Sequence, residues 1–280
     1  MKYIYKSIIF WILAIAIGAF IAIYQRMTGP TYPVYSRLTI DNEEVNGKLI
    51  RTYSCSDDAP VHIIAKNDDI SGFYRYRRFK SYDEWHTDTM KRHGDTLTAF
   101  IPQQPPAGKV MYQIVLKKAG AEYLMVEEPV IIRYKGFVPS GLVIAHVLII
   151  FLAFIFSVRT GIEALANEKH TFYYTIATLV LLLIGGLILG PVMQKYAFGA
   201  YWTGWPVGHD LTDNKTAFAF IFWVVALFAQ LKNRKNRIWP IVASVVLLVV
   251  FLIPHSVLGS EIDFTETEPQ NNTEVSETYD

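Results

Sequence analysis

Five long apolar runs mark this chain: Ser7–Tyr24, Gly141–Val158, Phe172–Met193, Thr216–Leu231 and Ile238–Pro254. In hydrocarbon the backbone must bond to itself, so runs of this length fold as helices. At about 1.5 Å per residue, each crosses all or most of a core about 30 Å thick. The pattern therefore predicts a membrane α-helical bundle of five transmembrane helices. The first run holds Ala14-Ile15-Ala16, a small-x-small pattern that also occurs at signal-peptide cleavage sites. The apolar run continues to Tyr24, which suits an uncleaved anchor.

Between the first two runs the period changes. Residues 33–135 break into short segments of alternating character, VYSRLTI, KLIRTYS, VHIIAK, GFYRYRRF, TLTAFIP, KVMYQIVLKK, EYLMVE and VIIRY. In VMYQIVL, Val110, Tyr112, Ile114 and Leu116 fall on one side. Turn-forming clusters separate the segments at Asn67-Asp68-Asp69, His93-Gly94-Asp95, Pro105-Pro106-Ala107-Gly108 and Lys118-Ala119-Gly120. Short strands at this spacing predict an inserted extracytoplasmic all-β sandwich domain. The resulting domain plan is an anchor over 1–26, the sandwich over 27–138, a four-helix membrane region over 139–258 with an outer loop at 194–215, and an acidic disordered tail over 259–280.

The stretch WHTDTMKRHGDTLTAFIPQQPPAGKVMYQIVLKKAG carries a resemblance. It resembles bacterial extracellular domains of immunoglobulin or fibronectin type III shape. Those share a Trp and Met strand, a Gly-Asp turn, a strand ending in Ile-Pro and a Gly-led strand with a central Tyr. The resemblance implies a sandwich fold and assigns no site residue, because such domains bind, space or scaffold in many settings.

Charge adds orientation. The chain has 280 residues, net charge +1, 52% hydrophobic and 14% aromatic residues, so nothing in its balance calls for nucleic acid. Lys2 and Lys6 precede the first run, Arg159 and Lys169 follow the second, and Lys232, Arg234, Lys235 and Arg237 follow the fourth. Short basic segments stay in the cytoplasm. The expected topology puts the N-terminus inside a bacterial inner membrane, with the β domain and C-terminal tail outside. The tail carries Glu261, Asp263, Glu266, Glu268, Glu274, Glu277 and Asp280 with no base, a composition that reads as a solvated segment. A single cysteine, Cys55, excludes an intrachain disulfide.

Candidate chemistry gathers on the predicted outer side. His146 lies inside the second run, His255 follows the fifth, and the loop WTGWPVGHDLTDNKT brings His209, Asp210 and Asp213. If these elements pack together, imidazoles and carboxylates could hold a transition metal, and a pair of imidazoles a b-type haem. Each residue also has a plainer use. His146 can bond a neighbouring helix, His255 can cap a helix end, and Asp210 to Asn214 can order a turn and start the fourth helix. Trp202 and Trp205 suit headgroup depth or a partner. Arg75, Arg77 and Arg78 form a basic, aromatic strand, readable as a partner-binding patch or as a charge-guarded edge strand. Polar residues within the runs, Thr175, Thr178, Gln230 and Ser244, are few. No Ser-His-Asp set, phosphate loop or zinc-finger spacing is present. Three functions remain in play: a binding or assembly role with partner membrane proteins, a periplasmic-side metal or haem protein, and a transporter or channel subunit.

Overall fold

The computed structural model describes residues 2–254 and 259–267. The chain forms two compact units, Met1–Tyr32 with Phe137–Ser260, and Pro33–Gly136 with Glu261–Asp280.

The first unit is helical. It contains α1 (Lys2–Thr28), α2 (Ser140–Leu165), α3 (Thr171–Leu182), a wide-turned π segment (Leu183–Leu189), α4 (Gly190–Phe198), α5 (Leu211–Lys232) and α6 (Ile238–Leu252). Four helices are long and apolar enough to cross a membrane: Ile4–Thr28, Ser140–Leu165, the continuous Thr171–Phe198, and Leu211–Lys232. The helix α6 is apolar but only 15 residues long. At about 1.5 Å per residue it reaches less far than a hydrocarbon core about 30 Å thick. The unit's outward side chains are oily, with Ile12, Phe218, Ile221 and Val249 more than one-third exposed. A surface of this kind is compatible with lipid contact.

Small residues set the helix spacing. Ala153, Ala219, Ala226 and Ala243 are fully buried around Phe154 and Trp223. Gly18 of α1 faces Ile155 of α2, where an added Cβ would sit 2.7 Å from the side chain. Such positions let helices approach closely where lipid supplies no hydrophobic drive. The π segment has the same use. A Cβ on Gly185 would lie 3.0 Å from the Ile150 backbone nitrogen, and one on Gly186 would lie 2.8 Å from Thr216.

The second unit is a β-sandwich. One sheet has the order β1 (Val34–Ile40), β2 (Glu43–Leu49), β4 (Ala59–Ile64), β8 (Thr96–Ile101), β7 (Lys91–His93). The other runs β3 (Thr52–Ser54), β11 (Val130–Lys135), β9 (Lys109–Lys118), β5 (Ser71–Arg78), β6 (His86–Thr89), with β10 (Ala121–Leu124) also on β9. Two tight hairpins use consecutive residues at positive φ, Asp41-Asn42 and Ala119-Gly120. That is the primed turn whose twist matches the strands. Val45, Val61, Ile63 and Leu97 of one sheet meet Tyr74, Ile114, Leu116 and Ile132 of the other in one core. The Tyr134 hydroxyl donates to Ile101 O at 2.7 Å, fastening sheet to sheet without orphaning a buried polar atom. Cys55 is free and half-buried.

Two expectations change here. The basic strand β5 is not an edge, since β9 and β6 flank it; the exposed edge is β6. Tyr74 on β5 is buried, so aromatic anchoring rather than charge decides its place. The acidic tail also departs from a solvated segment in its first residues. Glu261 pairs with Lys80 at 2.6 Å and with Lys109. The Phe264 N–H donates to Lys80 O at 2.9 Å, and the Arg78 guanidinium lies 4.3 Å over the Phe264 ring. Cations on β5, in the loop after it and on β9, with one aromatic in the segment, supply what composition alone does not register. The tail from residue 268 onward lies outside the described residues.

Candidate functional site

The sharpest construction in the helical unit is the loop between α4 and α5. The helix α4 ends at Gly199, whose φ of 87° is the left-handed cap that glycine adopts without strain. The Asp210 side chain starts α5 by accepting the Thr212 N–H at 2.8 Å. Its other oxygen accepts the Ser260 N–H at 2.8 Å and the Ser260 hydroxyl at 3.0 Å. Burial works to raise the Asp210 carboxyl, and these donors outweigh it, so the group sits below the usual carboxylate value.

Asp213 holds the far side of the loop. One carboxylate oxygen accepts the Thr203 N–H at 2.7 Å, the Gly204 N–H at 3.0 Å and the Gln194 amide at 3.2 Å. Asn214 Oδ1 accepts the Trp205 N–H at 2.6 Å. The Val207 and Gly208 N–H groups close back on Gly204 O at 2.9 and 2.8 Å. Gly204 is required by space: a Cβ there would stand 2.7 Å from Asp213 Cβ. The Trp205–Pro206 peptide is cis.

The loop is thus rigid at its base and bare at its tip. Asp210 and Asp213 are 9% and 6% exposed, whereas Trp205 and Val207 are each 76% exposed. Trp202 supports the tip by donating its indole N–H to Trp205 O at 3.1 Å.

The predicted metal or haem residues have these positions. His146 is on α2 and bonds through Nδ1 to Gly185 O at 3.0 Å. That carbonyl also accepts the Gly190 N–H, the wide bond of the π segment, so the imidazole takes its second lone pair. His209 is exposed on the loop. Asp210 and Asp213 hold backbone N–H groups as described. His255 lies outside the described residues. Among the described residues, no three His, Cys, Asp or Glu side chains come together in a way that could hold a metal ion.

The predicted partner-binding arginines divide. Arg78 is engaged within the chain, by Asp83 at 2.7 and 2.8 Å and by the Phe264 ring. Arg75 bonds Gln113 at 3.1 Å, and Arg77 lies 5.1 Å over the Trp85 ring. The Nε atoms of Arg75 and Arg77 are buried without a hydrogen-bond partner.

A second polar cluster lies beyond the predicted end of the second run. The helix α2 continues to Leu165, and Arg159 and Glu163 are both fully buried there, 2.5 Å apart. The guanidinium lies within 5.5 Å of the Phe10, Trp11 and Tyr174 rings. Its other arm reaches Ser7 at 3.3 Å, while Glu163 accepts the His170 N–H at 3.1 Å. One ion pair thereby fastens α1, α2 and the start of α3. The signal for it was the i, i+4 spacing of opposite charges just past an apolar run.

No protein-family model, no curated protein and no solved structure matches this chain.

Proposed function

We propose that this chain is an integral membrane envelope protein with a binding or assembly role, engaging partner membrane proteins. The observation that carries this reading is rigidity joined to exposure at Trp205-Pro206-Val207. Two mostly buried carboxylates are committed to fixing a loop whose tip side chains, Trp205 and Val207, stand largely exposed among the described residues. Exposed apolar groups on a preorganised support bind with little ordering cost, which is the character of a docking element. In this reading α6 is a fifth span, and the N-terminus lies inside a bacterial cytoplasmic membrane. The loop and the β unit face outward, as the distribution of basic residues argues. The β unit, read as an immunoglobulin-like sandwich, adds a face bearing Arg75 and Arg77.

A photo-crosslinking residue at position 205 or 207 in native membranes tests the reading. The expected product is one discrete adduct with another membrane protein, absent when Asp213→Ala loosens the loop. Adducts to lipid alone would sink it, since the tip would then be only a membrane anchor.

A further inference from the structure

Strand alternation sorts the bases of the β unit. On β5 and β9, Tyr74, Val110, Tyr112, Ile114 and Leu116 point into the core. Their alternates Arg75, Arg77, Lys109, Gln113 and Lys117 therefore stand on the outward side of the sheet. Both ends of this row of bases are answered within the chain. Lys117 pairs with Glu122 at 3.0 Å, and Lys109 pairs with Glu261.

The middle of the row is different. Among the described residues no carboxylate lies within ion-pair distance of Arg75 or Arg77. Their partners are neutral: Arg75 donates to Gln113 Oε1 at 3.1 Å, and Arg77 lies 5.1 Å over the Trp85 ring. Both side chains are half-buried, and both Nε atoms are buried without a hydrogen-bond partner. A guanidinium has five donors, and one partly removed from water needs compensating charge. The strand beneath is paired on both sides, by β9 and β6, so the two bases are held on a fixed support.

The chain itself shows what this end of the sheet takes. Glu261 sits on Lys109 and Lys80, and Asp263, two residues on, lies 3.7 Å from Lys80. In an extended segment alternate side chains fall on one side about 7 Å apart, which is also the spacing of Arg75 and Arg77 along β5. An apolar segment would leave both guanidiniums unanswered, and a basic one would be repelled. We propose that the Arg75–Arg77 face of β5 is a docking site for an extended acidic segment of a partner protein, with carboxylates at alternate positions answering the two guanidiniums. This names a partner chemistry for the binding role proposed above and rests on that reading.

Arginine modification by phenylglyoxal, read by mass spectrometry on the full chain in detergent, tests this without altering the protein. The probe is a short peptide of alternating glutamate and serine. It should shield Arg75 and Arg77 from the reagent, and its glutamine analogue should not. In a fluorescence anisotropy titration with the same peptide, Arg75→Gln and Arg77→Gln should each weaken binding about tenfold, the scale of one charge-assisted hydrogen bond. Lys117→Gln, which removes a base already paired, should leave binding unchanged. Failure of the peptide to shield either arginine would overturn the proposal, as would equal shielding by the glutamine analogue. A loss in Lys117→Gln as large as that in Arg75→Gln would reduce the effect to net charge and overturn it as well. Shielding by inorganic phosphate but not by the peptide would assign the face to a phosphate ligand instead. Resistance of both arginines before any peptide is added would mean that the face is covered within the chain, and ending the chain at Thr267 would show whether the tail is that cover. The crosslink at position 205 reads the binding role by itself, so a face that takes no peptide leaves that reading standing.

Discussion

Asp213 is the residue on which the loop turns. Replacing it with Ala would leave the Thr203 and Gly204 N–H groups without an acceptor, at a cost of about 1–3 kcal/mol for buried donors. The measurement is amide hydrogen exchange in detergent. The expected outcome is faster exchange at residues 203–208 with the β unit unchanged. Glu261 gives a residue-scale pH dependence. Burial works to raise its carboxyl, but Lys109 and Lys80 hold it below the usual glutamate value. A group lowered in the folded state contributes stability above its unfolded value of about 4.3, and that contribution is lost as pH falls through the folded value. The Phe264 amide, bonded to Lys80 O, should therefore stay protected at neutral pH. Protection should fall only at pH below the ordinary glutamate range, and at a higher pH in Lys80→Gln. Much of this scale was legible beforehand. Asp210 and Asp213 stood where a helix start needs short acceptors. Thr203, Gln194 and Ser260 carried no such signal, because their use depends on chain folding back from elsewhere.

Among the elements, the ion pair in α2 makes the strongest demand. Arg159→Met would leave Glu163 buried and uncompensated, a loss of about 3–5 kcal/mol. The double change Arg159→Met with Glu163→Met should recover most of that. Thermal unfolding in detergent reads both, and a double variant no better than the single would remove the pair from this role. The pattern placed the end of this helix at Val158 because a charged pair reads as the start of a loop. Burial by Phe10, Trp11 and Tyr174 reverses that, and it becomes visible only once α1 and α3 stand beside α2. Strands with clean alternation were legible almost to the residue: VYSRLTI and KVMYQIVLKK are β1 and β9 as they stand. The strands β6 and β7 were not, since His86–Thr89 is exposed throughout and Lys91–His93 spans three residues, leaving no apolar period to read.

For the molecule as a whole, the membrane region and the sheet domain were both legible from the change of period at residues 33 and 135. The count of spans was less so, because α6 is apolar enough yet short. Sidedness is open to a direct labelling experiment. In a Cys55→Ala background, Ser56→Cys on the exposed rim of the β unit should react with an impermeant maleimide on intact cells. Lys235→Cys should react only after permeabilisation. The reverse pattern would invert the topology and detach the loop tip from any partner outside.

The wide turns of Leu183–Leu189 carry one further implication, for how this span can change. A π segment holds one residue more than the α-helix that would replace it. Deleting a single apolar residue there would let the ladder rewind. Everything beyond would then keep its face, because one residue fewer at the tighter α turn covers about the same angle. Gln194 would thereby stay within reach of Thr203 and Asp213. A one-residue deletion within Leu183–Leu189 should thus leave amide protection in the downstream loop unchanged, whereas deleting Val192 in α4 should turn Gln194 by about 100° and loosen that loop.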